Sequence, residues 1–258
     1  MENQIIKTKL SRLKLTGLLE ILEERLKEAT KGKWSYSHFL EVLFQDEIDR
    51  RNHGVLFKRL AKSGLDGQKT LETFDFSFNH KIYETTIREL AICSFIKNHE
   101  NILIVGPSGV GKSHLGQALG HEAIRKGNDV LFYRTYHLLQ FIQNGRSDGT
   151  RGKKLSQIIK VPLLILDDFG LQPLNDFQQE DLYEIICERY EKSATIVTSN
   201  RDLSEWISIF KNPLMGTAAL DRLIHRAINI TIEGKSYRAD QFMKNKKNIS
   251  KNTGVKNV

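Results

Sequence analysis

A single glycine-rich motif limits what this chain can fold into more than any other feature of its sequence. Residues 106–113 read Gly-Pro-Ser-Gly-Val-Gly-Lys-Ser and match G-x-x-x-x-G-K-[ST] at every fixed position. The apolar run ILIV precedes the motif at 102–105, and the stretch HLGQALGHEAIRKG after it has the composition of a helix. A strand, a glycine-rich turn and a helix in this order predict a phosphate-binding loop, or P-loop.

The residue types of this loop suit a magnesium-bound triphosphate. Glycines let main-chain N–H groups converge on phosphate oxygens, where a Cβ atom would block the approach, and the helix N-terminus adds partial positive charge. We expect Lys112 to reach the β- and γ-phosphates and the Ser113 hydroxyl to bind Mg²⁺. The sequence therefore predicts ATP and Mg²⁺ as ligands. The predicted nucleotide-binding residues are Gly106, Pro107, Ser108, Gly109, Val110, Gly111, Lys112, Ser113 and His114.

Short apolar runs alternate with helical patterns around this motif. The runs are ILIV (102–105), DVLFY (129–133), VPLLIL (161–166) and ATIVT (194–198). Continuous apolar runs of this length are typical of strands buried on both faces of a parallel sheet, and their alternation with helices indicates an α/β fold. We therefore predict a P-loop NTPase with a parallel sheet flanked by helices.

The first 70 residues follow a different pattern. The chain has no proline before Pro107, which permits long helices. Apolar periodicity over 6–26 predicts a first helix, which the polar stretch 31–33 should end. It also predicts helices over 36–51, with Ser35 or Ser37 as a cap, over 53–62 and over about 81–97. The polar stretch 63–67 indicates a linker. We predict a small all-helical N-terminal domain for DNA or partner contact at 1–70, an ATPase domain at 71–240 and a basic, disordered tail at 241–258.

A second motif places two carboxylates at the end of an apolar run. Residues 163–168 read Leu-Leu-Ile-Leu-Asp-Asp, the arrangement called Walker B. We expect Asp167 to hold Mg²⁺, directly or through water, and Asp168 to orient and polarise the attacking water as a catalytic residue. The alternative is a solvated turn that leads into Phe169-Gly170. The position of the pair, 55 residues after Lys112 in an α/β chain, favours Walker B.

Two further polar features are candidate parts of the catalytic machinery. Asn200 follows the apolar run at 194–198 and is the candidate sensor of the γ-phosphate, with Ser199 as the neighbouring candidate. A helix N-cap is the alternative for Asn200, because apolar residues follow it at helical spacing. Arg222 and Arg226 are four residues apart and are predicted to share one helix face.

An arginine on such a face suits catalysis across a subunit boundary. A guanidinium that reaches the γ-phosphate bound by a neighbouring subunit stabilises developing charge and couples hydrolysis to assembly. Arg222 is the favoured candidate for this role, ahead of Arg226. A surface salt bridge and a contact with a DNA phosphate are the alternatives for both.

The charge balance points to an anionic partner. The net charge is +8 and the calculated pI is 9.3, which suits nucleic acid first and a membrane surface second. Contacts from flexible cationic segments to phosphates are salt-sensitive and largely independent of sequence, and ordinary solvated charge is the alternative. The two candidate basic stretches are Arg50, Arg51, His53, Lys58, Arg59 and Lys62, and the glycine-rich loop with Arg146, Arg151, Lys153 and Lys154.

Other sequence features bear on the compartment. The N-terminus has no uninterrupted apolar segment of the signal-peptide type, and no apolar run is long enough to span a bilayer. Cys93 and Cys187 lie far apart in apolar stretches, which is typical of small buried residues in a reducing environment. No Cys/His spacing resembles a metal site. We therefore expect a cytoplasmic protein without membrane association.

Taken together, these motifs resemble the IstB family, the ATP-binding helpers of insertion-sequence transposition. That family is related to DnaC-type helicase loaders within the AAA+ ATPases. The resemblance covers roughly residues 5–240. Its most telling pieces are FDFSFN (74–79), NILIVGPSGVGKSHLGQALG (101–120), LLILDDFG (163–170), TIVTSNR (195–201), ALDRLIHRA (219–227) and GKSYR (234–238).

The resemblance implies an AAA+ strand order, ATP hydrolysis and ATP-dependent self-assembly on double-stranded DNA. It also implies a cognate transposase, whose target selection and integration the ATPase assists. Many AAA+ proteins carry Asp-Glu at Walker B, whereas this chain has Asp167-Asp168, and slow hydrolysis by the shorter acid would suit a switch. Arg238 is a candidate for a sensor-2 arginine. A DnaC-like replicative helicase loader and an ATP-switched DNA-architectural protein are the alternative functions, and a small-molecule P-loop kinase fits less well.

Overall fold

The structure is a computed structural model that describes residues 2–79 and 81–244. Packing divides the chain into two compact units, one ending at Lys58 and the other beginning at Arg59. Most of the predicted tail at 241–258 lies outside the described residues, and the proposed division at residue 70 stays a prediction. Within the described part, no helix combines the length and apolar composition that a bilayer crossing requires.

The first unit is helical, as the sequence predicts. It contains α1 (Glu2–Arg12), α2 (Thr16–Gly32) and most of α3 (Tyr36–Ser63). The predicted single helix from residue 6 to the stretch 31–33 is wrong in being continuous, because the chain turns at Lys14, which has a left-handed φ of 57°. Its predicted end agrees with the end of α2 at Gly32. The two predicted helices over 36–51 and 53–62 form the single helix α3. Gly54 lies inside α3 and does not end it, since one glycine costs a helix only about 1 kcal/mol.

The packing of the first unit centres on a small apolar cluster and one buried carboxylate. Leu18, Leu22 and Leu43 form the cluster. Glu47 of α3 is only 4% exposed and accepts a hydrogen bond of 2.9 Å from the main-chain N–H of Gly17. Arg50 and Arg51 donate to the same carboxylate at 2.8 and 2.7 Å. The hydrogen bond from Arg50 is the largest of the effects that lower the pKa of Glu47 to about 2.

Glu47→Gln is expected to destabilise the first unit by about 2 kcal/mol at pH 7, because it removes charge-assisted hydrogen bonds from a buried position. In the wild type this contribution is complete above the ordinary carboxyl pKa near 4.5 and disappears as the pH falls towards 2. Hydrogen exchange of the α2 and α3 amides measures the difference at pH 7. Equal protection of the two proteins would show that Glu47 does not stabilise this unit.

The second unit is an α/β layer structure with a five-stranded sheet. Its strands are β1 (Ile102–Val105), β2 (Val130–Arg134), β3 (Leu163–Asp167), β4 (Ala194–Ser199) and β5 (Ile228–Thr231). Its helices include α4 (Glu84–Leu90), α5 (Ser94–Lys97), α6 (Lys112–Arg125), α7 (Thr135–Ser147), α8 (Arg151–Lys160), α9 (Asp176–Arg189) and α10 (Pro213–Ile224), with a 3₁₀ helix over Leu203–Ile209. The predicted α/β fold with a parallel sheet is confirmed.

The sheet has the strand order β2-β3-β4-β1-β5, and every neighbouring pair is parallel. Each residue of β1, β3 and β4 is buried, as the continuous apolar runs predict. Ile102 lies opposite both Ile196 of β4 and Ile228 of β5, so β1 sits in the interior of the sheet. Because all strands are parallel, their carboxyl ends meet at one edge, which is where such folds place their ligands.

Three local features differ from the sequence prediction. The edge strand β5 is missed because its burial alternates, so it lacks a continuous apolar run. The predicted helix over 81–97 is divided into α4 and α5 by Cys93, which has a φ of 63°. The predicted glycine-rich loop with Arg146 and Arg151 is largely helical, because α7 and α8 leave only three residues between them.

Candidate active site

The glycine-rich motif forms a tight loop between β1 and α6, at the carboxyl edge of the sheet. Gly106, Gly109 and Gly111 have φ values of 148°, 83° and 102°, a region that favours glycine. A Cβ atom on Gly106 would stand 2.0 Å from the carbonyl oxygen of Ile232, and one on Gly109 would stand 2.1 Å from Ser236 Oγ. Side chains at these positions are therefore excluded, which leaves main-chain N–H groups to face a bound anion.

Lys112 is the buried cation of this loop. It is the first residue of α6 and is 6% exposed. Its Nζ donates a hydrogen bond of 2.7 Å to the carbonyl oxygen of Pro107, within the same loop. Burial lowers the pKa of Lys112, and the nearby carboxylates of Asp168 and Asp167 act in the opposite direction. A cation held near two carboxylates in this way is suited to an anionic ligand that carries a metal ion.

Asp167 is the last residue of β3 and is 4% exposed, so the alternative of a solvated turn does not hold for this residue, although a turn begins at Asp168. The Thr198 hydroxyl donates a hydrogen bond to its carboxylate, and Thr135 Oγ1 donates to its carbonyl oxygen at 3.0 Å. Asp167 and Ser113 line the same cavity. Carboxylate and hydroxyl oxygens are ligands of the kind that Mg²⁺ prefers, so this donor set fits the ion.

Asp168 follows the strand in a left-handed conformation, with a φ of 55°. Its main-chain N–H donates to Thr198 Oγ1 at 3.3 Å, and its Oδ2 lies 4.0 Å from Nε of Arg134. Burial raises the pKa of Asp168, and the adjacent charge of Asp167 adds to this effect. The cations Arg134, Lys112 and Arg238 lower it. The carboxylate is thus placed among charged groups at the carboxyl edge of the sheet.

These groups line one cavity of about 470 Å³. The cavity brings together most of the predicted site residues, namely Ser108, Gly109, Val110, Gly111, Lys112, Ser113, His114, Asp167, Asp168 and Asn200. Gly106 and Pro107 shape the loop behind this lining. Sequence reasoning missed Arg134, which ends β2, and an aromatic wall formed by Phe74, Phe78 and Tyr237. Arg134 could have been predicted as Asp167 was, because it also follows an apolar run that forms a strand. The aromatic residues have no such position at a strand end.

The end of β4 carries a buried hydroxyl, that of Ser199, and the strand is followed by the exposed amide of Asn200. Ser199 is buried and its hydroxyl donates to the carbonyl oxygen of Phe169 at 2.7 Å. Asn200 is exposed at the cavity. The N-cap of the following 3₁₀ helix is Asp202, which forms a capping box with Glu205, so the capping alternative for Asn200 is wrong. The sensor role of Asn200 stays a prediction.

The two arginines near the end of α10 do not share a helix face, so that expectation is wrong. The helix ends at Ile224, and Arg226 lies beyond it with a φ of 56°. Arg222 donates a hydrogen bond of 2.6 Å to the carbonyl oxygen of Ala218, and its guanidinium lies 5.9 Å from the ring centre of Tyr183. Its action on a neighbouring subunit stays a prediction.

Arg238, near the end of the described chain, lies at the same cavity as the glycine loop. Residues 237–244 are helical, and Arg238 lines the cavity. Its charge lowers the pKa of both Lys112 and Asp168. This placement suits a cation that faces phosphate, although its role as a sensor stays a prediction.

Several residues of the basic stretches have carboxylate partners. Arg146 and Arg151 both bind the fully buried Asp181 of α9, at 2.7 and 2.6 Å, and so connect α7 and α8 to that helix. Arg59 pairs with the exposed Asp129 at 2.9 Å, whereas Arg50 and Arg51 pair with the buried Glu47. The arginines that bind Asp181 and Glu47 therefore have structural roles, because both carboxylates are buried. The exposed cations of the two stretches include Lys58, Lys62 and Lys153.

Comparisons with known proteins agree with this site. A family model described as IstB-like ATP binding protein matches residues 8–246. An insertion-sequence ATP-binding protein of Mycobacterium tuberculosis is 37% identical over 234 residues, which cover 90% of this chain and 93% of the relative. The IS21 ATP-binding protein of Pseudomonas aeruginosa is 36% identical over 235 residues, which cover 91% of this chain and 89% of the relative.

Solved structures show the same fold. The DnaC helicase loader superposes with a TM-score of 0.50 and 29% identity, over 57% of this chain and 86% of that chain. The replication initiator DnaA bound to AMPPCP and single-stranded DNA superposes with a TM-score of 0.54 and 23% identity, over 75% of this chain and 58% of that chain. The second similarity concerns the fold alone. The sheet and its loop therefore follow the architecture of these AAA+ proteins.

Proposed function

Because this chain belongs to the IstB-like ATP-binding protein family, we propose that it is a magnesium-dependent ATPase that assists a transposase. In this proposal it assembles on double-stranded DNA as a homo-oligomer and contributes to target selection and integration. One observation carries the enzymatic part. The glycine loop with its buried lysine and the carboxylate pair Asp167-Asp168 line the same cavity at the carboxyl edge of the sheet.

The residues of the cavity divide the work of hydrolysis. The loop N–H groups and Lys112 bind the phosphates and offset the charge that develops during transfer. Ser113 and Asp167 would hold Mg²⁺, which supplies further charge neutralisation when bound. Asp168 accepts a hydrogen bond from the attacking water and polarises it, and Asn200 orients that water. Arg222 of a neighbouring subunit completes the site in the assembled form.

The DNA-related part of the proposal has separate support. The chain carries a net charge of +8, and its basic stretches retain exposed lysines that suit phosphate contacts. Its relatives are described as ATP-binding proteins of insertion sequences, which supports a transposase as the partner. The descriptions of these relatives name ATP binding and do not name hydrolysis. The similarity to the DnaC helicase loader keeps helicase loading as the second candidate. A transposase reading frame beside the gene favours the first function, and replication genes favour the second.

Asp168→Asn is expected to lower ATP turnover by about 10- to 100-fold while leaving the Kd for ATP within about threefold of the wild type, because the amide cannot accept a proton from water. Turnover and equilibrium binding are measured on the same preparations. Asp49→Asn, an exposed change on α3, is the control and should behave as the wild type. Turnover absent from both the wild type and Asp168→Asn, with ATP still bound, would instead indicate a DNA-architectural protein that uses ATP as a ligand.

Duplex DNA is expected to raise wild-type ATP turnover several-fold, because assembly on DNA completes the site between subunits. The stimulation should fall steeply between about 50 and 200 mM salt and should differ little between DNA sequences, as phosphate contacts require. Turnover with and without DNA, together with sedimentation of the ATP-bound protein, tests this. If DNA changes neither turnover nor assembly, the DNA-binding part of the proposal is wrong.

A further inference from the structure

The cavity that holds the glycine loop has two walls of different chemistry. The groups suited to phosphate and metal, such as Lys112 and Asp167, lie at the loop and at the strand ends. The remaining wall is aromatic and comes from Phe74, Phe78 and Tyr237. Phe74 and Phe78 lie four residues apart, whereas Tyr237 comes from a distant part of the sequence. All three are partly exposed, which leaves part of each free to contact a ligand.

The aromatic wall is fixed to the phosphate loop at two points. The Phe74 ring lies 2.9 Å from the position that a Cβ on Gly111 would take, so this ring packs directly on a loop glycine. The main-chain N–H of Tyr237 donates a hydrogen bond of 2.9 Å to the carbonyl oxygen of Gly109. The rings of Tyr237 and Phe78 meet edge to face, with their centres 4.9 Å apart. The aromatic groups therefore have a set distance from the phosphate site.

Helix α6 holds the segment that carries Phe74. The His114 ring nitrogen Nε2 lies 2.9 Å from the carbonyl oxygen of Thr70, and the His114 ring meets Phe74 edge to face with centres 5.1 Å apart. One turn further along α6, Gln117 accepts a hydrogen bond of 2.9 Å from the main-chain N–H of Asp66. The helix that begins with Lys112 thus also positions one side of the aromatic wall.

Polar side chains beside this wall are already engaged with the protein. Asn79 Nδ2 donates to the carbonyl oxygen of Glu233 at 2.8 Å, and its Oδ1 accepts from the N–H of Lys81. Thr73 Oγ1 donates to the carbonyl oxygen of Gln68 at 2.6 Å. Because Asn79 and Thr73 are hydrogen-bonded within the protein, this side of the cavity offers a ligand mainly the surface of the aromatic rings. Such surface suits a flat ring, which aromatic side chains bind by stacking.

We propose that Phe74, Phe78 and Tyr237 form the seat of the nucleobase, which they hold by stacking and apolar contact while the glycine loop holds the triphosphate. The inference rests on the proposed nucleotide site and adds the residues that bind its non-phosphate end. The cavity volume of about 470 Å³ lies within the range of nucleotide-sized ligand sites. Binding through the base and binding through the phosphates are thereby assigned to separate residues.

Calorimetric titration of the full chain with ATP and with inorganic tripolyphosphate, both in the presence of Mg²⁺, separates the two contributions. Phe78→Ala and Tyr237→Ala are each expected to weaken ATP binding by about tenfold or more, because each removes a stacking surface. Tripolyphosphate should bind both variants within about twofold of the wild type, since the phosphate loop is unchanged. Tyr237→Phe keeps the ring and should retain the ATP affinity of the wild type.

Two further variants keep the test decisive. Phe78→Leu preserves apolar volume but not the flat ring, so it should lose ATP affinity even if Phe78→Ala fails to fold. Tyr83→Ala removes an exposed aromatic side chain outside the cavity and should change nothing. ATP affinity that is unchanged in Phe78→Leu and Tyr237→Ala overturns the nucleobase seat alone. The nucleobase seat is also wrong if the wild type binds tripolyphosphate as tightly as ATP. If the wild type binds neither ligand, the nucleotide site itself is wrong.

Discussion

Lys112→Ala is expected to reduce ATP turnover at least about a hundredfold, which is the largest functional effect that we predict for a single substitution. The structure places this lysine at the first position of α6, inside the glycine loop and 6% exposed. A charged group preorganised in a site of low water content contributes far more than one in solution, and removal of a comparable donor costs other enzymes about 10²- to 10³-fold. Initial rates at saturating ATP and Mg²⁺ measure the effect.

The same substitution is also expected to weaken ATP binding, because Lys112 contacts the phosphates in the ground state as well. This distinguishes it from Asp168→Asn, which should affect turnover with little effect on binding. Lys126→Ala is the matched control, since Lys126 is an exposed lysine at the opposite end of the same helix. Near-normal turnover in Lys112→Ala would show that hydrolysis does not take place in this loop.

The features that sequence predicts well are those in which the chemistry forces a local pattern. The strands β1, β3 and β4 are buried on both faces, so each appears as an uninterrupted apolar run. The glycine loop is predicted equally well, because positive φ values and the exclusion of Cβ atoms require glycine at fixed spacings. Asp167 follows from the rule that parallel strands present functional groups at their carboxyl ends.

The features that sequence predicts poorly depend on contacts between distant segments. The left-handed conformation of Lys14, which divides α1 from α2, has no residue-type signal, since lysine is an ordinary helix former. Arg146 and Arg151 belong to a glycine-rich basic stretch, and only the tertiary fold reveals that both bind the buried Asp181. The aromatic wall is a third example, because Tyr237 reaches Phe78 across more than half of the chain.

A buried arginine provides the prediction with the largest effect on stability. Arg189 ends α9 and is 2% exposed, and within the described part of the chain its partners are carbonyl oxygens and one hydroxyl. They belong to the end of α8 and the residues after it (Ile158, Ile159 and Val161, at 2.9, 3.0 and 2.8 Å) and to the start of β4 (Ala194, and Thr195 at 3.1 Å). Burial lowers the pKa of Arg189 to about 9, so the guanidinium stays charged at neutral pH.

Arg189→Ala is expected to lower the free energy of unfolding of the second unit by about 3–5 kcal/mol, because several buried carbonyl groups lose their donor at once. Such a loss is a large fraction of the 5–15 kcal/mol that stabilises a typical domain. Arg189→Lys should lie between Ala and wild type, since the ammonium keeps the charge but reaches fewer of the oxygens. Urea unfolding in a Trp34→Phe background lets the buried Trp206 report on the second unit alone.

The matched control is Arg88→Ala on α4. Arg88 forms an exposed i,i+4 ion pair with Glu84, and its side chain is 70% exposed. Exposed pairs of this kind contribute at most about 1 kcal/mol, so this variant should unfold close to the wild type. Equal midpoints for Arg189→Ala and Arg88→Ala would mean that the carbonyl groups around Arg189 find water or other donors, and that the cation does not hold α8 to β4. The much lower midpoint that we expect for Arg189→Ala would instead show that the buried guanidinium stabilises the second unit through its hydrogen bonds to carbonyl oxygens of α8 and β4.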